Sequence, residues 1–122
     1  MAVNRLLAVF AERIAPLNVN YAYGVWKGDA VYPYWVGELS EIMHAYEDGS
    51  SRGRILLHGW TRGELSVLME QAEQIKRQFS GFTVGVDGFG CAIDYNAMTP
   101  IPQGDIELKS IDIQFEYRTW EG

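Results

Sequence analysis

The stretch TRGELSVLMEQAEQIKRQF, residues 61–79, limits what this chain can fold into more than any other. Leu65, Leu68, Met69, Ala72, Ile75 and Phe79 recur at helical spacing and so share one face. Thr61 followed three residues later by Glu64 is the capping-box pattern, in which hydroxyl and carboxylate each satisfy a backbone N–H that the first turn leaves unpaired. Glu64, Glu70 and Glu73 precede Lys76 and Arg77, an order that suits the helix dipole, and Gly81 is placed to end the helix. The pattern predicts a helix over 61–79. Each large side chain on its apolar face gains about 1.5–3 kcal/mol on burial, so the helix requires an apolar surface to lie on.

The rest of the chain reads as that surface. Residues 3–15 form a first amphipathic helix through Val3, Leu6, Leu7, Phe10 and Ile14, stopped by Pro16. Residues 19–27 then alternate, with Val19, Tyr21, Tyr23 and Val25 set against Asn20, Ala22, Gly24 and Trp26, which predicts a strand. Strands at 34–43 and 54–60, joined by the polar loop Glu47-Asp48-Gly49-Ser50-Ser51, read as a hairpin. Asp87-Gly88 is a two-residue hairpin signal between strands 82–86 and 89–95. Residues 96–104, with two prolines, read as a loop, and 105–120 as the longest strand. In that last strand Ile111, Ile113, Phe115 and Tyr117 face one way, and Asp112, Gln114, Glu116 and Arg118 the other. Ile106 and Leu108 have the opposite parity, which predicts a bulge near Lys109-Ser110. The expected architecture is α+β: one domain over residues 1–122, a mostly antiparallel sheet with two helices packed on one face.

Composition bounds the function. At 122 residues the chain has room for one core. Its 48% hydrophobic and 21% charged content is that of a globular chain. A net charge of −6 argues against sequence-specific nucleic-acid binding and against docking on an anionic membrane. No apolar run approaches the roughly 20 residues of a membrane span. One cysteine, Cys91, allows no internal disulfide and fits a reducing origin.

No residue pattern specifies catalysis, a cofactor or a metal. Cys91, His58 and an acid such as Asp94 are the raw material of a nucleophilic constellation, but none lies in a local motif. A sheet-packed His58 and an inert Cys91 in a strand are the expected states. Glu47-Asp48-Gly49 lacks the alternating oxygen ligands of a calcium loop and reads as solvated charge. The aromatic run Tyr32, Tyr34 and Trp35 is more informative. Neighbours in a strand face opposite sides, so these rings cannot all enter one core. Trp120 shares parity with the polar face of its strand and poses the same question. Either these rings, with Glu47 and Asp48, belong to an interface with another chain, or loops cover the second face within the monomer. On the interface reading Trp35→Ala spares the fold and harms assembly, whereas Leu68→Ala harms the fold.

The segments Tyr32-Pro33-Tyr34-Trp35-Val36-Gly37-Glu38, Glu47-Asp48-Gly49, Leu56 to Gly63 leading into the helix, and Ile101-Pro102-Gln103-Gly104-Asp105 with Leu108-Lys109 and Ile111 resemble small structural proteins of long-tailed bacteriophages and prophages. These are the tail-terminator, or tail-completion, proteins of the head–tail junction. The resemblance spans residue 20 to the end. It implies an α+β subunit without catalysis that assembles as a ring, commonly a hexamer, on the last ring of tail-tube protein. It further implies that the ring ends tube growth and presents a joining surface to the head connector, with location in the virion tail or neck after assembly in the host cytoplasm. The loops at 47–52 and 96–104 and the aromatic segment 32–35 are then the expected contact regions. A head–tail connector or minor capsid protein is the nearest alternative. A small acidic binding protein of the immunity type, suited to a basic partner, is the alternative from another class.

Overall fold

Two periodicities, one helical and one alternating, build the molecule around a single apolar layer. The computed structural model describes residues 2–42, 50–86 and 88–121. Helix α1 (Ala2–Ile14) runs into a short 3-10 turn (Ala15–Leu17) at Pro16. Strands β1 (Asn20–Tyr23), β2 (Tyr34–Ile42) and β3 (Ser51–Arg62) precede helix α2 (Leu65–Gln78). Strands β4 (Phe82–Val86), β5 (Phe89–Ile101) and β6 (Leu108–Glu121) complete the chain. The six strands form one sheet in the order β1-β2-β3-β6-β5-β4. Every described neighbour pair is antiparallel except β1 with β2. The expected α+β class and mostly antiparallel sheet are what the chain adopts.

Alternation decides what the sheet buries. Ile111, Ile113, Phe115 and Tyr117 of β6 and Ile55 and Leu57 of β3 point to one side and are buried. Both helices lie there. Phe10 of α1 stacks on Phe79, just past α2, at 4.8 Å, and both meet the edge of Phe115. Leu68, Ala72 and Ile75 of α2 are wholly buried against the same layer. Arg13 Nε donates to the Gln78 carbonyl at 2.9 Å, and Gln78 Nε2 donates to the Arg13 carbonyl at 2.7 Å, tying the ends of the two helices together.

Several local expectations are corrected. Thr61 does not cap α2. It lies in β3, 3% exposed, because pairing with Lys109 of β6 holds the backbone extended through Arg62. The helix begins at Leu65 after Glu64, with no side-chain cap bond. The first strand is four residues long, not nine. Gly24 turns the chain with φ +84 while its N–H donates to the Gly37 carbonyl, and the chain then crosses back to run parallel with β2. Residues 96–101 are strand, not loop. Pro100 is tolerated there because β4 pairs only with Phe89–Ile93, so this end of β5 is an edge among the described strands, paired on the β6 side alone. The expected bulge at Lys109-Ser110 is absent, since β6 stays in unbroken register with β3 from Leu108 to Thr119. The register shift falls instead in β5, between Tyr95 and Ala97. Ile106 breaks parity because it sits in the turn before β6, 81% exposed.

Candidate functional site

Among the described residues the helices cover one face of the sheet and leave the other open, so the side chains on that outer face are the ones available to a partner. Its centre is set by register. Val36 of β2, His58 of β3 and Asp112 of β6 stand in line across three strands. His58 Nδ1 lies 2.7 Å from Asp112 Oδ1, and Nε2 lies 3.1 Å from Glu38 Oε1. Burial alone favours the neutral ring. The hydrogen bonds to Asp112 and Glu38, and the charges of those carboxylates, outweigh it and hold His58 above its ordinary value.

That direction fixes a pH dependence. The unfolded chain loses its His58 proton near the ordinary value of about 6.5, the folded chain at a higher pH. The three-group clasp of His58 with Asp112 and Glu38 therefore contributes its full stability below that unfolded value and loses it as pH rises through the raised folded one. The groups are partly solvated, so the contribution is about 1 kcal/mol or less. Urea midpoints measured across this range should fall toward alkaline pH in the wild type and flatten in His58→Gln. An equal slope in both would rule the clasp out as the cause.

Beside the clasp runs a band of rings. His58 lies 5.8 Å from Trp60, Trp60 stacks on Tyr34 at 5.3 Å, and Tyr34 meets Tyr32 at 5.5 Å and Trp26 at 5.1 Å. Trp26 is held there by its own indole N–H, which donates to the Asp29 carbonyl at 3.0 Å. Arg62 sits over Tyr32 at 5.7 Å and pairs with Asp105 at 3.0 Å. Toward the other end of the face Arg54 approaches Glu116 at 4.0 Å. There Arg52, Arg54, Ala92, Asp94, Glu116 and Arg118 surround a shallow depression of about 470 Å³.

The residues singled out from sequence distribute as follows. Tyr32 is 37% exposed, and Tyr34 is half-buried within the ring band on the outer face. Trp120 is half-buried on the same face, laid over Gly90, where a Cβ would come within 2.2 Å of the indole. Trp35 is corrected. It is wholly buried on the helix side, where its indole N–H donates to Gln71 Oε1 at 2.9 Å, so it is a core residue of the monomer. Alternation separates it from Tyr34, and register sets it over Gly59, which has no side chain to exclude it. Glu47 and Asp48 lie outside the described residues.

Cys91, His58 and Asp94 do not come together. Cys91 is buried in the helix-side core, and burial pushes its thiol up. His58 is on the other face, and Asp94 accepts the Gly81 N–H at 3.2 Å. Among the described residues no cluster is arranged to hold a metal. Glu38 and Asp112 occupy opposite nitrogens of one ring, so their oxygens do not converge on a common point. The link between Glu38, His58 and Asp112 was not evident from sequence. The only signal was that Asp112 shares parity with the polar face of its strand.

Compared with known proteins, the sequence matches no family model and no curated protein. The fold does have counterparts among solved structures. A chain in the virion of a native gene transfer agent particle aligns over 99% of this chain and 92% of its own, with a TM-score of 0.66 and 13% identity. A second solved chain, with a name that states no function, aligns over 100% and 98% with a TM-score of 0.71 and 15% identity. At such identities the likeness establishes a shared fold.

Proposed function

We propose that this chain is a structural subunit of a virion, and specifically a tail-terminator protein that caps the tail tube as a ring and forms the joining surface for the head. One observation carries the reading. The fold is shared over nearly the whole length of both chains with a chain of an assembled virion. The sequence resemblance to tail-terminator proteins supports the finer assignment. The open sheet face, with its ring band and charged ends, supplies a surface for contacts with other chains. In this reading there is no catalytic step. The partners are further copies of the chain in a ring, commonly sixfold in the family that the sequence resembles, the tail-tube protein and the head–tail connector.

The test is to polymerise tail-tube protein with and without this chain and measure tube lengths by electron microscopy, with mass photometry of the chain alone. Arrested tubes capped by a ring are the expected result. Continued growth, with the chain binding a head connector instead, would favour the connector alternative. Tyr32→Ala should separate assembly from folding. Its exposed ring contributes little to the core, so unfolding should shift by no more than about 1 kcal/mol. Capping should weaken at least tenfold. A capping activity equal to wild type would remove Tyr32 from the contact surface.

A further inference from the structure

The three groups at the centre of the open face carry an inference about protons. A carboxylate only accepts hydrogen bonds, and a neutral imidazole has one N–H to give. His58 places both ring nitrogens within hydrogen-bond distance of carboxylate oxygens, one from β6 and one from β2. Satisfying both takes two N–H groups, which only the imidazolium has. We propose that His58 is a proton-operated clasp on the open sheet face, which on losing its proton keeps Asp112 and releases Glu38.

The order of release follows from geometry. The contact with Asp112 is the shorter, 2.7 Å against 3.1 Å, and Asp112 is the less exposed carboxylate, 24% against 49%. Leaving the more buried carboxylate without a donor costs more than returning the more exposed one to water. The remaining proton therefore stays on Nδ1. The bare Nε2 lone pair then faces Glu38, which turns to solvent. The tie from β3 to β2 opens while the tie to β6 persists, and the three groups go from a net charge of −1 to −2.

Among the described residues the other charged and titratable groups on this face stand further off. Along β3 the next outer-face positions are Leu56 and Trp60. Beyond Leu56 come Arg54 and its neighbour Glu116, and beyond Trp60 comes Arg62 with Asp105. Tyr34 stands opposite Trp60 on β2, diagonal to His58, with its ring stacked on Trp60. Glu38 and Asp112 are thus the partners that decide the state of the ring. If the open face is the docking face, docking becomes sensitive to pH. That consequence rests on the function proposed above, whereas the clasp itself does not.

The experiment is a pH titration of the full chain by ¹⁵N-resolved NMR of the histidine ring nitrogens, with His44→Gln used to assign the two histidines. His58 should titrate above the ordinary histidine value and, above its midpoint, carry its proton on Nδ1. Glu38→Gln, at an exposed site, should lower the midpoint and leave the Nδ1 proton in place. Asp112→Asn should lower it further and move the neutral ring toward the Nε2 tautomer. A midpoint at or below the ordinary value, an Nε2 proton in the neutral wild type, or indifference to Glu38→Gln would each overturn the clasp. None of these readouts depends on whether the chain forms rings.

Discussion

Trp35→Ala should destabilise the isolated subunit by about 3–5 kcal/mol, at least as much as Leu68→Ala at about 2–5 kcal/mol. Both side chains are wholly buried on the helix side of the sheet. Trp35 is among the largest of the fully buried side chains, and its indole N–H donates to Gln71 of α2 at 2.9 Å. Truncation removes the apolar contact and also the link that fixes α2 to β2. The surrounding aromatic layer is close-packed, so the space left behind closes only in part. Chemical denaturation of the two variants, followed by circular dichroism, is the measurement. A wild-type midpoint for Trp35→Ala combined with failed assembly would return Trp35 to the interface. Equal losses in both variants would place it in the core.

Gly59→Ala should also destabilise, by about 1–3 kcal/mol, against the usual benefit of such a change. Replacing glycine by alanine gains about 0.4–1 kcal/mol through the unfolded chain where the native backbone accepts a side chain. Gly59 has no left-handed φ, so backbone strain plays no part. The obstacle is space. A Cβ there would lie 2.4 Å from Cζ3 and 2.5 Å from Cε3 of Trp35, a rigid ring with no room to retreat. Overpacking therefore outweighs the unfolded-state gain. In the Trp35→Ala background the obstacle is gone, and Gly59→Ala should become neutral or mildly stabilising. The double-mutant cycle should give a coupling of about 0.5–3 kcal/mol. Simple additivity would mean that the two residues do not meet in solution.

This pair marks how far the sequence could be read. From Tyr32, Tyr34 and Trp35 alone it was clear that the rings must divide between two faces. Which face the helices would cover was not clear, so the sequence left Trp35 open between an interface and burial within the monomer. The open-face histidine is a second case. His58 was visible as a histidine within an apolar strand, and Asp112 as part of a polar face. Their partnership spans 54 residues, and that of His58 with Glu38 spans 20. No local pattern reaches so far.

The sequence by itself determined what depends on near neighbours along the chain. The 3.6-residue repeat in 65–79 and the two-residue repeat in 111–118 specified an amphipathic helix and a two-faced strand. Asp87-Gly88 specified a hairpin, and β4 and β5 pair on either side of it. Tertiary structure decided what depends on which strands become neighbours. It set β1 parallel to β2, extended β3 through Thr61 in place of a helix cap, and carried β5 through a proline where its outer side has no described partner. It also brought the side chains of Glu38 and Asp112 within hydrogen-bond reach of His58, the three on different strands. The reason is physical. Periodicity is imposed by backbone geometry within a few residues, whereas pairing and register are chosen by the burial of the whole core, to which every strand contributes at once.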